Sequence, residues 1–334
     1  SRERQVFEVS TFRAHLDHED AQQIAGNERT ASQRLAGLRH AVGRDGRVLR
    51  DNVWGSMEED AVRRDFTINA LYYDPQEREL VDYHGGLEDL NARRLRMIGD
   101  PLQRYREDPV RVIRAVRFAA KLGKRGFKLH PGTAAPLAEA KELLGAVPQS
   151  RLFHEMIKLL QTGHALASVE QLRALGLARG IYPVLDLVVE RADQPFVHAA
   201  LADTDRRVSE GKPVAPSFLL ACVLWQEVQQ GWRERLAQDE HTIPALQAAI
   251  TTVFDAHIGD VSGHGKIGAD MREIWLLQPR FEQRRGRSPY KLVEQPRFRA
   301  SFDFLRLRAE AGDGDPALVD WWERFSSGND AVRE

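Results

Sequence analysis

Apolar residues recur at helical spacing through most of the second half of the chain. From about His164 onward, such runs cover Leu201–Val208, Ala215–Val228, Pro244–His257 and Ile267–Leu277. Apolar positions three and four residues apart form one face of an α-helix, so each run predicts an amphipathic or buried helix. Short polar stretches separate the runs, which predicts a wholly helical region.

The first hundred residues show a different pattern. Three segments with alternating or β-branched residues predict strands, namely Gln5–Arg13, Glu79–Tyr83 and Arg93–Ile98. Between them, apolar positions at helical spacing predict a helix over Arg63–Leu71. The basic stretch Ser32–Asn52 contains several glycines and has no period, so it predicts a mobile loop. The fold class is therefore α+β and predominantly α.

The pattern divides the chain into three segments. Residues 1–98 hold the predicted strands, residues 99–163 form a helical neck, and residues 164–334 form a helical body. In the neck, one long helix carries arginines on one side and apolar residues on the other: Arg111, Arg114 and Arg117 against Val110, Ile113, Val116 and Phe118.

Candidate chemistry begins where this basic helix starts. Asp108 and Arg111 are three residues apart, so a helix would place a carboxylate acceptor beside a guanidinium donor. Adenine offers an amino donor beside a ring acceptor, and buried hydrogen bonds of this kind discriminate strongly between bases. The same residues also fit an ordinary helix start, with Asp108 as N-cap and Pro109 in the first turn. Both interpretations remain open at this stage.

A second polar group lies upstream of the neck. Asp65 and Asn69 are four residues apart in the predicted helix over Arg63–Leu71. Short acceptor and amide side chains suit ribose hydroxyls, and Arg64 suits a phosphate. The alternative is an amphipathic helix with a solvated front end. Glu8 stands among strand-forming residues, which indicates either a metal ligand or a charge that protects an edge strand.

The segment from Arg280 to Arg299 interleaves cations with aromatic residues. The cations are Arg280, Arg284, Arg285, Arg287, Lys291, Arg297 and Arg299, and the aromatic residues are Phe281, Tyr290 and Phe298. Phosphate-binding cations beside rings that stack on bases are typical of a single-stranded RNA groove. A solvated charged face is the alternative, since Glu282 and Glu294 dilute the patch. The tryptophans of the body are predicted to lie in its core.

Composition narrows the class of protein. The chain has 334 residues, 42% hydrophobic and 29% charged, which is typical of a globular protein with two or three domains. A single cysteine, Cys222, excludes an internal disulfide and favours a reducing, cytoplasmic compartment. The sequence shows neither an 18-residue apolar run nor the apolar core of a signal peptide. The net charge of -1 does not by itself indicate a nucleic-acid binder, so RNA binding must rest on local patches.

Five motifs follow one another along the chain: Glu8–Arg13, Arg63–Asn69, Asp82–Leu90, Glu107–Arg111 and Arg151–Glu155. In this order they resemble the bacterial poly(A) polymerases and their relatives the CCA-adding tRNA nucleotidyltransferases, the class II branch of the DNA polymerase β-like nucleotidyltransferases. The tail segments Phe298–Ala300, Leu305–Glu310 and Trp321–Glu323 resemble the poly(A) polymerases rather than the CCA-adding enzymes.

The resemblance implies a polymerase-β-like head, of which residues 1–98 are the later part. It implies addition of AMP from ATP to RNA 3′ ends without a template, using magnesium. Asp108 and Arg111 would select adenine, Glu107 would orient the arginine, and Glu8 would bind metal. Arg64, Asp65 and Asn69 would hold triphosphate and ribose, and Arg114 and Arg117 would contact phosphates. The resemblance also assigns Arg151 and Glu155 to a salt bridge, and Gly85-Gly86 to a hinge.

One family feature is missing from the sequence. Family members carry a Gly-Gly-x-Val-Arg-Asp turn followed by an Asp-x-Asp pair, and this combination does not occur here. Two-metal transfer needs several carboxylates, and of these the resemblance supplies Glu8 alone. The expectation is either a fragment or a form that does not catalyse alone. CCA addition to tRNA and RNA binding without catalysis are the two alternative functions.

Overall fold

The computed structural model describes residues 9–13, 22–24, 40–43, 48–51, 54–257 and 264–328. The chain divides into two compact units, Ser1–Leu143 and Leu144–Glu334. Residues 5–8 of the predicted strand Gln5–Arg13, with Glu8 among them, lie outside the described residues. In the described part of that segment, Arg13 forms an isolated antiparallel bridge with Trp54. The three-segment division of the sequence remains a prediction.

Three short strands form the first sheet of the first unit. They are β1 (Gln22–Ile24), β2 (His40–Gly43) and β3 (Val48–Asp51). β1 is parallel to β2, and β2 is antiparallel to β3. The prediction of an irregular loop over Ser32–Asn52 was therefore wrong where β2 and β3 pair, because cross-strand hydrogen bonds need no regular apolar period.

Two further strand pairs follow in the first unit. β4 (Leu71–Asp74) and β5 (Glu79–Asp82) form an antiparallel hairpin, which confirms a strand at Glu79–Tyr83. β6 (Arg94–Leu95) pairs in parallel with β7 (Lys128–Leu129). β6 is shorter than the strand predicted over Arg93–Ile98.

The helix predicted over Arg63–Leu71 was wrong. Helix α1 (Met57–Arg63) ends where the prediction began, and Arg64 is already extended at ψ 161°. A single 3-10 turn follows at Thr67–Asn69. The backbone instead bonds to a distant segment: Thr67 N–H donates to Arg96 O at 3.0 Å, and Ile98 N–H donates to Asp65 O at 3.1 Å. Tertiary pairing overrides the local period, as it often does in short segments.

Helices complete the first unit. They are α2 (Gly86–Asn91), α3 (Pro101–Glu107), α4 (Arg111–Gly123), and the short α5 (Pro131–Ala134) and α6 (Leu137–Ala140). The basic helix is α4, and it buries Val110, Ile113 and Val116 as predicted. Phe118 is only half buried and packs edge-to-face on Phe66, with ring centroids 5.2 Å apart.

The start of α4 differs from the predicted cap. Asp108 is the C-cap of α3, and Val110 rather than Asp108 is the N-cap residue of α4. The N-cap of α3 is Asp100, whose carboxylate accepts from Gln103 N–H at 2.8 Å. The Asp-Pro pair therefore lies in the turn between α3 and α4, and Asp108 does not cap the N-terminus of α4.

The second unit is helical throughout its described part, as predicted. Its helices are α7 (Gln149–Leu160), α8 (Ala165–Ala174), α9 (Pro183–Arg191), α10 (Pro195–Ser209), α11 (Pro216–Leu236), α12 (Thr242–His257), α13 (Ala269–Leu277), α14 (Ser288–Val293), α15 (Phe298–Glu310) and α16 (Pro316–Ser327). The four predicted helices fall within or at α10, α11, α12 and α13. Trp225, Trp275 and Trp322 are buried as predicted, whereas Trp321 is half buried.

Two smaller features close the description. His264–Gly268 forms a turn of π-helix that leads into α13. Among the residues that the structure describes, no helix combines the length and the apolar character needed to cross a membrane.

Candidate nucleotide site and RNA surface

The turn after β5 holds the 3-10 segment of the site in place. Gly85 has φ 72°, and a Cβ on Gly86 would lie 2.3 Å from Thr67 O, so only glycine permits this close approach. Asp89 is buried and accepts from Thr67 Oγ1 at 2.8 Å. Arg96 Nε lies 3.1 Å from the same carboxylate. The Gly-Gly motif is therefore a packing point beside the predicted ribose segment.

Asp82 fixes the start of α2. Its Oδ1 accepts from Gly86 N–H at 2.8 Å, and its Oδ2 accepts from Leu87 N–H at 2.9 Å. Burial alone would raise the pKa of this carboxyl group, but the backbone N–H groups of Leu87, Gly86 and His84 outweigh it and hold the pKa below its usual value. Asp82 thus anchors the backbone as a carboxylate.

Arg111 lies at the centre of the predicted site. Its Nε donates to Asp65 Oδ1 at 2.8 Å, and its Nη1 donates to the carbonyl of Arg104 at 2.9 Å. Glu107 Oε2 lies 3.4 Å from the same Nη1. Two carboxylates and a carbonyl therefore fix the guanidinium plane, whose side chain is only 12% exposed. No hydrogen bond joins Nη2 to any residue in the described ranges.

Asp65 holds two arginines of α4. Besides Arg111, its carboxylate reaches Arg114 Nη1 at 3.3 Å. Arg114 also lies 4.0 Å from Asp108 Oδ2, so the two acidic residues flank it. The structure thus brings Asp65, Glu107, Asp108, Arg111 and Arg114 together, in the region where the sequence predicted base recognition. Half-buried Arg117 lies farther along α4, with its Cζ 5.7 Å from the Phe118 ring.

Arg64 is held by a separate group of polar residues. Its Nη2 bonds to Asp60 Oδ2 at 3.0 Å, its Nε donates to the Tyr72 hydroxyl at 3.2 Å, and its Nη1 donates to the carbonyl of Asn69 at 3.2 Å. Burial alone would raise the pKa of Asp60, but hydrogen bonds from the Tyr72 hydroxyl, the Arg13 backbone and Arg64 hold that pKa below its usual value. The Arg64 side chain remains 46% exposed, so it can still meet a phosphate.

Two predicted features of the site stay untested by the geometry. Glu8, the predicted metal ligand, lies outside the described residues. In the described ranges, no three His, Cys, Asp or Glu side chains group closely enough to bind a metal ion. Glu155, buried in α7, bonds to Lys158 Nζ at 3.3 Å, and its predicted pair with Arg151 stays a prediction.

Sequence analysis did not identify several residues that hold the segments of the nucleotide site in place. Arg104 is 6% exposed and donates to the carbonyls of Arg63 and Arg64 at 3.0 and 2.9 Å. Asp60 and Tyr72 were also missed. The one available signal was Arg104 itself, an arginine on the buried side of α3 next to Tyr105, which is fully buried.

The predicted RNA-binding cations of the second unit differ in whether a carboxylate lies close to them. Arg297 bonds to Asp270, and Arg299 Nε lies 3.7 Å from Asp303. The other five form no ion pair with any residue that the structure describes, and all but half-buried Arg280 are exposed: Arg280, Arg284, Arg285, Arg287 and Lys291. We call these five the cationic segment.

The aromatic half of the predicted groove was largely wrong. Phe281 is fully buried and Phe298 is 7% exposed, and both belong to a core. Tyr290 alone of the three is exposed, and it packs edge-to-face on Phe325. The core consists of Leu277, Phe281, Leu292, Phe298, Phe302, Leu305, Leu318, Val319, Trp322 and Phe325. Phe281 and Phe298 pack between helices, and their spacing in the sequence is the same as that expected of residues that stack on bases.

Three family profiles match the chain. They are described as the poly A polymerase head domain over residues 1–96, the probable RNA and SrmB-binding site of polymerase A over residues 126–188, and the polymerase A arginine-rich C-terminus over residues 238–334. The profiles follow one another in the order that the sequence motifs predicted.

Curated relatives agree with the profiles. Poly(A) polymerase I of Haemophilus influenzae is 38% identical over 99% of this chain and 71% of its own length. Poly(A) polymerase I of Salmonella typhi is 38% identical over 97% of this chain and 67% of its own length. The multifunctional CCA protein of Xanthomonas campestris is 42% identical, but over only 58% of this chain and 50% of its own length.

Solved structures share the fold. A CCA-adding enzyme of Bacillus stearothermophilus, solved in complex with CTP, has a TM-score of 0.51 at 25% identity, over 82% of this chain and 61% of that one. A tRNA-processing enzyme in an apo form has a TM-score of 0.52 at 21% identity, over 83% and 74% of the two chains. These likenesses confirm the predominantly helical class II nucleotidyltransferase fold. With profiles in family order and relatives matched over nearly the whole chain, the chain belongs to the poly(A) polymerase family.

Proposed function

We propose that this protein adds AMP from ATP to the 3′ ends of RNA without a template. The observation that carries the proposal is the fixed guanidinium of Arg111, held by Asp65 and Glu107 in a chain that is similar to poly(A) polymerase I along its length. The 3′ hydroxyl of the RNA loses its proton, and its oxygen attacks the α-phosphorus of ATP. The bond between the α-phosphorus and the oxygen that bridges to the β-phosphorus breaks, and pyrophosphate leaves with that oxygen.

Arg111 and Asp108 read the adenine edge in this proposal. The Nη2 group of Arg111 keeps its two N–H donors for a ring nitrogen, because Nε and Nη1 are already engaged. Asp108 accepts from the adenine amino group. Glu107 orients the arginine through its contact with Nη1. A base without an amino donor beside a ring acceptor, such as uracil, would leave these groups unpaired, which is the physical basis for selection against UTP. Cytosine offers the same pattern as adenine, so this contact does not by itself exclude CTP.

The remaining predicted residues surround the rest of the nucleotide. Arg64 is exposed enough to contact the triphosphate, and the side-chain amide of Asn69 forms no hydrogen bond within the described part of the chain, so it can bond a ribose hydroxyl. Asp65 combines a nucleotide role with the positioning of Arg111 and Arg114. Arg114 and Arg117 extend the basic side of α4 toward phosphates.

RNA binds to the second unit in this proposal. The cationic segment offers charges that no described carboxylate neutralises, which suits a phosphate backbone. Arg297 and Arg299 are paired with carboxylates and contribute less charge. Exposed Tyr290 lies within the segment and can stack on a base.

Magnesium enters the proposal through family membership alone. Its predicted ligand Glu8 lies outside the described residues, and the described ranges hold no metal-binding cluster. We therefore assign no step to the metal. A cytoplasmic location is part of the proposal, supported by the single cysteine, Cys222, which is buried as a thiol.

CCA addition to tRNA is the second candidate function. The observation in its favour is the 42% identity to the multifunctional CCA protein over 58% of this chain. That match covers little more than half of the chain, whereas the match to poly(A) polymerase I covers 99%. The two candidates differ in a measurable way, because CCA addition requires CTP and a tRNA end.

Incorporation of labelled nucleotide tests the proposal. An unstructured RNA primer is incubated with ATP or CTP in magnesium, using the chain and a chimera that carries the N-terminal segment of the H. influenzae relative ahead of Ser1. We expect the chimera to extend the primer with ATP and not with CTP, whether or not the chain alone does so. Extension with CTP on tRNA would favour the second candidate. Incorporation of neither nucleotide by either protein would overturn the proposal.

A further inference from the structure

Arg104 is a buried arginine that the sequence motifs did not single out. It lies on α3, is 6% exposed, and contacts both sequence segments from which the candidate nucleotide site is built. We infer that Arg104 is a positioning residue for adenine selection, acting through Asp65, Glu107 and Arg111. The inference rests on the proposed function and adds to it a residue outside the adenine-contacting set.

The guanidinium of Arg104 fixes the segment that carries Asp65. A single nitrogen, Nη2, donates to two successive carbonyls, Arg63 O at 3.0 Å and Arg64 O at 2.9 Å. Arg63 is the last residue of α1, and the backbone leaves the helical conformation at Arg64, where ψ is 161°, so Arg104 binds the chain where the helix ends. Asp65 is the next residue, and its carboxylate bonds to Arg111 Nε at 2.8 Å. The position of one carboxylate that holds Arg111 therefore depends on Arg104.

The other carboxylate that holds Arg111 depends on Arg104 as well. Glu107 Oε2 accepts from Arg104 Nη1 at 2.9 Å and lies 3.4 Å from Arg111 Nη1. One oxygen is thus shared by two guanidinium groups. In addition, the backbone carbonyl of Arg104 accepts from Arg111 Nη1 at 2.9 Å. Every described partner of the Arg111 guanidinium is either part of Arg104 or held by it.

Arginine is the residue type that this position requires. A planar guanidinium can serve two carbonyls and a carboxylate at once, whereas a lysine ammonium is a compact charge on a flexible stem. Burial of a charge is costly unless it is paired and hydrogen-bonded, and Glu107 supplies the pairing here. A purely structural role is the alternative, and it predicts lower stability with unchanged base selection.

Equilibrium binding of ATP and UTP distinguishes the two roles, because uracil lacks the amino donor beside a ring acceptor. The variants are Arg104→Lys and Arg104→Gln, measured by titration calorimetry with each nucleotide in magnesium and by thermal unfolding. The matched control is Arg106→Lys on the same helix, whose side chain is 54% exposed and 3.8 Å from Glu139. Because displacements of about 1 Å at a positioned group cost up to about 100-fold, we expect the ratio of UTP to ATP dissociation constants to fall roughly tenfold in the Arg104 variants. The control should keep the wild-type ratio.

A double-mutant cycle tests whether Arg104 acts through Arg111. In an Arg111→Lys background, Arg104→Lys should change the ratio little further, since independent residues give additive effects and coupled residues do not. An unchanged ratio in folded Arg104 variants, additive effects in the cycle, or variants that do not fold at all would overturn the inference. Equal binding of ATP and UTP by the wild-type chain would instead overturn the proposed base contacts of the proposed function.

Discussion

Two sets of arginines, one in each unit, have opposite surroundings. In the first unit, Arg104 and Arg111 are largely buried and bond to carboxylates and carbonyls of the same unit. In the second unit, Arg284, Arg285 and Arg287 are exposed and form no ion pair within the described part of the chain. The difference suggests that the first set contributes fixed geometry and the second set contributes charge.

This difference leads to different dependences on solution conditions. Buried, paired groups are weakly screened by salt and respond to protonation of their partners. Exposed, unpaired cations that contact phosphates release counterions, so their binding weakens steeply as salt rises. Nucleotide selection and RNA affinity should therefore be separable by mutation.

Replacement of Arg111 by Ala should give the largest effect. It removes the Nη2 donors proposed to contact adenine and leaves Asp65 and Glu107 without their shared partner. Since hydrogen bonds to charged groups are worth about 1.5–3 kcal/mol, ATP affinity should fall by roughly 10- to 100-fold and the preference over UTP should be lost. Titration calorimetry with ATP and UTP gives both quantities.

The matched control for this variant is Lys121→Ala, an exposed cation near the end of the same helix. It should leave both nucleotide affinities at their wild-type values. RNA affinity should stay near the wild-type value in both variants. An Arg111→Ala variant that folds and keeps the wild-type ratio of ATP to UTP affinity would break the comparison between the two units.

Neutralisation of the cationic segment should have the next largest effect. The triple variant Arg284→Ala, Arg285→Ala, Arg287→Ala removes three exposed charges. Each phosphate contact contributes about 0.7 to the slope of log affinity against log salt for single strands, so the slope should decrease by about 2. Between roughly 50 and 200 mM salt, the wild type should lose about 20-fold more RNA affinity than the variant. Filter binding of single-stranded RNA across this range measures the slope, and ATP affinity should not change.

A control with the same change in net charge sharpens this test. Arg179, Lys212 and Arg233 are also exposed cations of the second unit, but each lies within 4.0 Å of a carboxylate. Their triple replacement by Ala should leave the salt slope near the wild-type value. Equal slopes in the two triple variants would mean that net charge alone, and not the cationic segment, determines RNA binding.

Replacement of Asp82 by Asn should give the smallest effect, confined to stability. The pKa of Asp82 is lowered in the folded state, so its contribution to the free energy of unfolding is present above the unfolded value of 3.8 and is lost as pH falls through the lower folded value. The variant should be less stable at neutral pH by about 1 kcal/mol, in line with the loss of one helix cap. Urea unfolding at pH 7 and near pH 3 measures the difference.

The difference between the two proteins should shrink as pH falls below 3.8, because the stabilising contribution of the ionised carboxyl group is then being lost. A constant difference at both pH values would show that Asp82 does not act as a carboxylate anchor. Added salt should change the difference little, since the partners of Asp82 are backbone N–H groups and not exposed cations.

The sequence predicted helices well where their period was long and apolar. α10 to α13 each contain several turns, and burial of one face decides their conformation. The segment Arg63–Leu71 failed because its backbone bonds to residues about thirty positions away, at Arg96 and Ile98. No local pattern contains that information.

Only part of the candidate site could be predicted, because some of its contacts also join residues that are distant in sequence. Arg111 and its neighbours Glu107 and Asp108 are close in sequence, so a motif could identify them. Their dependence on Arg104 and Asp65 arises only when α3, α4 and the segment after α1 meet. In the second unit, Phe281 and Phe298 had the spacing expected of stacking residues, but burial in the core excludes that role.

A crystal structure of the chain with bound ATP would test the central claim most directly. The account predicts that a ring nitrogen of adenine lies about 3 Å from Arg111 Nη2, with the Asp65 and Glu107 contacts to that guanidinium retained. Adenine bound elsewhere, or an Arg111 side chain that has left both carboxylates, would contradict it.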